Sequence, residues 1–157
     1  MIRATAPLPV RGVLFVCAHN SARSPMAEAL ARVRLPASVH VTSAGRDPSL
    51  AVHPLAVETL REEDRLDLSG HQPRRLDAVD LGRVDLVVSL AGRDALEGLP
   101  RGIERLHWDT EDPTLVSFDV RRDVLLDRFR DVRDALVRRL DQLVARGHES
   151  FGPPGLR

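Results

Sequence analysis

Short apolar segments alternate with amphipathic segments along most of this chain. Continuous apolar stretches predict buried strands over residues 13–16, 39–42, 85–90 and 103–108. Elsewhere apolar residues recur at steps of three and four, which predicts helices over residues 26–33, 55–65 and 120–147. Strands that alternate with helices at these lengths predict an α/β fold, in which a parallel sheet is covered on both faces.

The length and charge of the chain limit what it can be. Its 157 residues suit one domain, expected over residues 13–147 between a flexible leader (1–12) and a flexible tail (148–157). The 23 basic residues balance 23 acidic ones and form no basic block, unlike those of a nucleic-acid binder. No stretch reaches the roughly 20 apolar residues of a transmembrane helix, and the leader does not resemble a secretory signal. We therefore expect a cytoplasmic monomer with no membrane or nucleic-acid partner.

Cys17 is the only cysteine, and it lies at the carboxyl end of the first predicted strand. A single cysteine excludes an internal disulfide and a cysteine-rich zinc site. None of the 6 histidines lies three or four residues from another histidine or from Cys17, so we expect no bound metal. Ligands of open α/β sheets bind at the carboxyl ends of strands, which places Cys17 at the expected binding edge.

The segment from Cys17 to Ser24 predicts an oxyanion-binding loop. Five residues separate Cys17 from Arg23, and Pro25 suits the first turn of the helix that follows. A loop this short can turn its backbone N–H groups inward, and a helix N-terminus adds further unpaired N–H groups. Arg23 supplies a fixed set of donors, and the same positive field favours the thiolate form of Cys17. The alternative is a structural cysteine beside a surface arginine, but the strand–helix junction favours a nucleophile that faces a bound oxyanion.

Several segments resemble the low-molecular-weight protein tyrosine phosphatase superfamily, which includes related arsenate reductases. They follow the family's order between about residue 13 and residue 144: 17–24 with 26–29 behind it, 42–45, 69–71, 85–88 and 112–113. Several segments in the right order are more specific than one loop. The resemblance implies a three-layer fold, in which a four-stranded parallel sheet carries helices on both faces.

The resemblance also implies a role for each residue of the loop. Cys17 would attack the oxyanion centre and form a covalent thio-ester intermediate, and Ser24 would hydrogen-bond the thiolate as it leaves. Asn20 would hold the shape of the loop, supported by Ser43 and His71. The substrate oxygens would be bound by the Arg23 side chain and by the backbone amides of Ala18, His19, Asn20, Ser21, Ala22, Arg23 and Ser24.

A second segment, residues 108–113, is implied to hold the general acid. Asp112 precedes Pro113, matches the family pattern and would protonate the leaving group. Asp109 and Glu111 of the same segment are interpreted as residues of a solvated loop.

Three positions depart from the phosphatase pattern. Phosphotyrosine enzymes of the family usually have Gly at the position of His19, a second Cys at that of Ala22, and aromatic residues beside the acid, where Thr114 stands here. Without aromatic walls, a phosphotyrosine ring has less to stack on. His19 would instead tune the thiolate or meet the substrate. Four segments resemble the arsenate reductases instead: residues 17–23, 52–57, 107–108 and 129–134. Pro25, by contrast, follows the phosphatases.

Residues 89–93, after the third predicted strand, contain no cysteine. Thioredoxin-coupled reductases of the family use two further cysteines there, so an external thiol would have to attack the Cys17 adduct here. The sequence thus favours an arsenate reductase with no bound cofactor, coupled to glutathione, mycothiol or bacillithiol and to a glutaredoxin-like redoxin. A tyrosine or aryl phosphatase, with a Cys17 phosphate intermediate and Asp112 as acid, is the first alternative. A non-catalytic oxyanion sensor is the second.

Overall fold

The computed structural model describes residues 10–115 and 119–145, and its framework is one sheet. The four strands are Gly12–Cys17 (β1), His40–Gly45 (β2), Leu86–Ser89 (β3) and Glu104–His107 (β4). All pairs are parallel, and the strand order is β2-β1-β3-β4. The α/β fold with a four-stranded parallel sheet is thereby confirmed. Most of the expected leader and all of the expected tail lie outside the described residues.

Three α-helices cover one face of the sheet: α1 (Arg23–Arg32), α2 (Pro54–Asp64) and α3 (Arg122–Ala145). Side chains of a strand alternate between the two faces of the sheet. Phe15 of β1 points to the face that the α-helices cover and is fully buried there. The Trp108 ring packs against Phe15, with the ring centroids 5.9 Å apart. No helix in the described part of the chain has the length and apolar character that crossing a bilayer requires.

Three 3₁₀-helices cover the opposite face, at Leu76–Ala78, Leu81–Arg83 and Arg93–Leu96. Leu14 and Val16 of β1 and Val87 of β3 are fully buried beneath the apolar residues of this layer. Helices therefore lie on both faces, as predicted, but those of the second face have three or four residues each. Such short turns lack the repeat of three and four from which a helix is predicted.

Two boundaries of these elements differ from the predicted ones and matter for the site. β2 continues through residues 43–45, where the sequence predicts its end, because these residues pair with β1 as far as Cys17 opposite Gly45. α1 begins at Arg23, two residues before Pro25. Ser43 therefore lies in the sheet beside β1, and Arg23 belongs to the first turn of a helix.

Candidate active site

The loop from Cys17 to Ser24 connects β1 to α1 at the carboxyl edge of the sheet. Asn20 in its middle has a φ of 49°, in the left-handed region that asparagine tolerates better than most residues. Gly45 approaches the loop closely, since a Cβ at this position would lie 2.8 Å from both the Ala18 oxygen and the Asn20 nitrogen. The turn of the loop therefore depends on Asn20 within it and on a glycine beside it.

Residues 46–53, which we call the collar, follow β2 and border the loop. Three collar N–H groups donate to loop carbonyls: Asp47 to Ala18 at 2.9 Å, Ser49 to His19 at 2.9 Å and His53 to Ser21 at 2.7 Å. Each of these carbonyls shares a peptide unit with the N–H group of the next residue. The N–H and C=O of a trans peptide unit point in opposite directions, so the N–H groups of His19, Asn20 and Ala22 point away from the collar. Among the described residues, no hydrogen bond uses these three N–H groups. Unpaired N–H groups inside a short loop can bind a tetrahedral oxyanion.

The Arg23 side chain is buried and fixed by backbone carbonyls. Its Nη1 donates to the carbonyl oxygens of Leu90 at 2.7 Å and Thr110 at 3.1 Å, and its Nη2 lies 3.5 Å from Asp112 Oδ2. The two carbonyls bind Nη1 and so set the plane of the guanidinium. The donors on Nε and Nη2, along the other edge of the group, are not used by a carbonyl. An arginine held in this way can bind two oxygens of an anion without losing further side-chain freedom.

The Asn20 side chain fixes the loop from inside the protein. It is fully buried, and its Oδ1 accepts from the Arg74 N–H at 3.0 Å and from His71 Nε2 at 3.1 Å. A backbone N–H only donates, so Oδ1 must face Arg74 and the Nδ2 group must face away from it. Nδ2 donates to the hydroxyls of Ser24 at 2.8 Å and Ser43 at 2.9 Å. The buried amide therefore has a partner in each direction.

The orientation of the Asn20 amide determines where the protons of the two serine hydroxyls point. Ser43 Oγ lies 2.9 Å from Oε1 of Glu28, a buried carboxylate that accepts, so the Ser43 proton points to Glu28. Ser24 Oγ already accepts from the amide, and its own proton can point to Cys17 Sγ at 2.9 Å. The other acceptor of that hydroxyl, the Ala44 carbonyl, is farther away at 3.5 Å. The network therefore presents a hydroxyl donor to the sulfur, which favours a negative charge there.

Asp112 lies on the segment after β4 and faces the loop through Arg23. Its Oδ1 accepts from the Thr114 N–H at 2.9 Å and from the Thr114 hydroxyl at 2.7 Å, which leaves Oδ2 beside the guanidinium. The side chain of Asp112 is 14% exposed, whereas Asp109 and Glu111 are exposed residues. Of the three carboxylates in this segment, Asp112 is the one paired with a residue of the loop.

His53 joins the collar to the helices behind it. Its Nδ1 accepts from the Leu55 N–H at 3.1 Å and caps α2, and its ring packs against Phe129 of α3 with centroids 4.8 Å apart. Burial lowers the pKa of His53, and the negative charge of Asp112 opposes that shift. A lowered pKa keeps the ring neutral, which its role as a hydrogen-bond acceptor requires.

Nearly the whole chain matches one protein family. Residues 12–150 match the model described as low molecular weight phosphotyrosine protein phosphatase. The chain belongs to this family. Arsenate reductase 1 of Staphylococcus haemolyticus is 33% identical over 130 residues, which cover 80% of this chain and 96% of that protein. The glutaredoxin arsenate reductase of Synechocystis sp. is 33% identical over 140 residues, which cover 87% and 98% of the two chains. A solved arsenate reductase in the phosphate binding state is 31% identical, with a TM-score of 0.69, and the match covers 87% of this chain and 98% of that one.

The site residues expected from sequence lie in two connected groups of this low molecular weight phosphatase fold. One buried network of hydrogen bonds contains Cys17, Asn20, Ser24, Ser43 and His71. Arg23 and Asp112 form the second group. Ala18, Ser21 and Ala22 offer backbone groups to the loop. The His19 side chain is exposed, and its Nδ1 lies 2.8 Å from the Asp47 carbonyl oxygen of the collar.

Other parts of the site follow from the structure and not from sequence reasoning. Glu28 is buried beneath the loop and also pairs with Arg32 at 3.3 Å, although a glutamate on an amphipathic helix ordinarily indicates solvent exposure. Its alanine neighbours at 27 and 29 are the signal that could have marked it as buried. The carbonyls that fix Arg23 belong to the backbone, so no residue type in the sequence marks their positions. The described residues contain no group of three or more His, Cys, Asp or Glu side chains placed to hold a metal ion.

Proposed function

We propose that this protein is an arsenate reductase, in which Cys17 forms a covalent adduct with arsenate and an external thiol releases arsenite. The observation that carries the proposal is the Cys17 sulfur, which the Ser24 hydroxyl approaches to 2.9 Å in a loop with three N–H groups that no described residue pairs. Two relatives that share 33% identity over nearly their full length are named as arsenate reductases, which supports the same chemistry here.

The first step is attack on bound arsenate. The three loop N–H groups that point away from the collar, together with the Nε and Nη2 edge of Arg23, would bind its oxygens and offset the charge that accumulates as the sulfur attacks. A bond forms between Cys17 Sγ and arsenic, one As–O bond breaks, and the departing oxygen leaves as water after taking up protons. Asp112, whose Oδ2 faces Arg23, would pass a proton to that oxygen.

The second step needs a thiol from outside the chain, because Cys17 is its one cysteine. The sulfur of the external thiol bonds to Cys17 Sγ, the S–As bond breaks with its electron pair on arsenic, and arsenic leaves as arsenite. A redoxin would then reduce the mixed disulfide, as the name of the Synechocystis relative suggests for that protein. Glutathione, mycothiol and bacillithiol are thiols of the required class. They are kept reduced in the cytoplasm, where we place this protein as a monomer.

A protein tyrosine or aryl phosphatase is the second candidate, and the position of Asp112 favours it. The same loop would bind a phosphate ester, and Asp112 would protonate the departing alcohol. However, Thr114, which follows Asp112 and Pro113, offers no ring on which an aryl group could stack. Without that stacking a bound aryl ester is stabilised less, which ranks this candidate second.

Two assays on one purified protein test the proposal. The first measures arsenite released from arsenate with glutathione, mycothiol or bacillithiol, each with its redoxin; the second measures hydrolysis of an aryl phosphate. We expect thiol-dependent arsenite release and slow ester hydrolysis. Fast ester hydrolysis without arsenite from any thiol would establish the phosphatase instead. Tight arsenate binding without either activity would establish a sensor.

A further inference from the structure

The His19 side chain lies on the solvent-exposed side of the loop, which we call its rim, and the collar holds it there. Its Nδ1 lies 2.8 Å from the Asp47 carbonyl oxygen, while the Asp47 N–H donates to the Ala18 carbonyl at 2.9 Å and the Ser49 N–H to the His19 carbonyl at 2.9 Å. His19 is exposed, so its ring is fixed in position without being removed from solvent. A ring fixed at this place is available to molecules that approach the loop.

The partner of Nδ1 determines which nitrogen of His19 carries a proton. A carbonyl oxygen only accepts, so Nδ1 must be the N–H donor. In the neutral ring Nε2 then holds the lone pair, as is usual where a backbone carbonyl binds the other nitrogen of a histidine. Within residues 10–115 and 119–145, no hydrogen bond uses His19 Nε2. The rim of the loop thus carries an oriented and unpaired base.

We propose that His19 Nε2 accepts the proton of the external thiol as that thiol attacks the Cys17 adduct; the inference rests on the proposed reductase function. The S–H proton moves to Nε2, and the thiol sulfur forms a bond to Cys17 Sγ. The S–As bond breaks, its electron pair stays on arsenic, and arsenite leaves. The thiol and Cys17 are oxidised to a mixed disulfide, and arsenic is reduced by two electrons.

The surroundings of Cys17 explain why a base at the rim is useful. An ordinary alkyl thiol has a pKa of about 8.5 and is mostly protonated at neutral pH, yet only the thiolate is a good nucleophile. A free thiolate would also be repelled by the anionic arsenic adduct, whereas a neutral thiol can approach and lose its proton on arrival. Cys17 is only 2% exposed, and His19, two residues along the same loop, is exposed, so a thiol that approaches Cys17 can meet this base.

The substitution His19→Asn removes the proposed base and can keep the hydrogen bond to the collar. The Asn side chain can place its Nδ2 group where the ring has Nδ1, which keeps a donor for the Asp47 carbonyl, but it has no counterpart of Nε2. The rate constant for thiol-dependent arsenite release is measured at neutral pH with 2-mercaptoethanol and with 4-nitrobenzenethiol, an aryl thiol that is already ionised. We expect a loss of about 100-fold with 2-mercaptoethanol, the lower range for general base catalysis, and a loss at least tenfold smaller with the aryl thiolate.

The control is His40→Asn, which removes a histidine from the first residue of β2, at the end of the sheet opposite to Cys17. We expect this variant to react with both thiols at the wild-type rate. Equal losses for the two thiols in His19→Asn, or no loss for either, would overturn the proposal.

A second measurement does not depend on arsenate reduction. Cys17 is converted to a mixed disulfide with 2-nitro-5-thiobenzoate, and its exchange with the same two thiols is followed by the mass of the quenched protein, which shows whether the new thiol is bound to Cys17. Attack on Cys17 Sγ again needs a deprotonated thiol, so His19→Asn should slow 2-mercaptoethanol more than the aryl thiolate. Absence of arsenite in the wild-type assay would refute the proposed function, whereas equal slowing here would refute the role of His19.

Discussion

The nucleophile loop, residues 17–24, and the acid segment, residues 109–115, meet at Arg23 but are held in different ways. Asn20 and Ser24 of the loop are fully buried, and hydrogen bonds hold the loop both from the core and from the collar. In the acid segment Asp109 is exposed, and the contacts that hold the Asp112 carboxylate come from Thr114 and Arg23. The difference supports our proposal that the more constrained region binds the anion and that the less constrained one transfers the proton.

If this comparison is correct, substitutions in the two regions have separable effects. Changes to the nucleophile or to the network behind it should act on the reactivity of the sulfur. Side-chain substitutions in the acid segment should act on turnover and leave anion binding in place. Arg23 is also held by the Leu90 carbonyl, outside that segment, and by the main-chain carbonyl of Thr110, which such substitutions do not remove.

Cys17→Ser is the largest expected effect. Turnover should fall by about 10⁴-fold or more, since a serine hydroxyl is not ionised at neutral pH and removal of a nucleophile costs this much in other enzymes. Binding of arsenate or phosphate, measured by calorimetry, should persist because Arg23 and the loop amides remain. Retained turnover would mean that another group is the nucleophile.

Asp112→Asn should have the next largest effect. Hydrolysis of an aryl phosphate should slow by about 100-fold, the lower range for loss of a general acid. Phosphate should bind as tightly as before or more tightly, because a negative charge beside Arg23 is removed. The matched control is Asp109→Asn, at an exposed position of the same segment. Weaker phosphate binding in Asp112→Asn would contradict the separation of the two regions.

Ser24→Ala tests the hydrogen bond to the sulfur, and Glu28→Gln is its control. Loss of about 1.4 kcal/mol, near the lower limit for one hydrogen bond to a charged group, would slow alkylation of Cys17 by iodoacetamide about tenfold in Ser24→Ala. Glu28→Gln should leave this rate near that of the wild type, because the Arg74 N–H still orients the Asn20 amide and Ser24 Oγ still accepts from it. Slowing of similar size in the two variants would show that the charge of Glu28 also acts on the sulfur.

His53→Asn should have the smallest effect, and it concerns stability. The pKa of His53 is lower in the folded protein than the usual 6.5, so the unfolded chain binds more protons and stability is lost as the pH falls below about 6.5. Asparagine is a good N-cap that does not titrate. The fall in Tm between pH 8 and pH 5 should therefore be smaller by roughly 2 °C in the variant. An identical fall would show that His53 titrates alike in both states.

The sequence predicts the elements of the fold whose side chains carry a periodic pattern. The apolar run of β1, Pro54 at the start of α2 and the long apolar stripe of α3 all appear where expected. The three 3₁₀-helices are missed because a helix of three or four residues is too short to show a period. The extension of β2 to Gly45 is missed because its last residues are small and polar, and pairing with β1 determines their conformation.

The same contrast holds within the site. Four candidate site residues can be proposed from sequence because they lie within eight consecutive residues: Cys17, Asn20, Arg23 and Ser24. Glu28 is missed because its burial depends on packing against β2, and the carbonyl partners of Arg23 are missed because a backbone group is present at every residue. Linear motifs therefore identify candidate reactive side chains, and tertiary structure is needed to find the groups that orient them.

The collar has a consequence for how such a protein can diversify. Every collar atom in its hydrogen bonds to the loop belongs to the main chain: the N–H groups of Asp47, Ser49 and His53 and the carbonyl of Asp47. Side chains between Arg46 and Val52 can therefore be exchanged without disturbing the peptide orientations of the loop. Leu50 is fully exposed in the middle of this stretch. Substitutions here would change what the collar presents to an approaching molecule and leave the main-chain geometry of the loop in place.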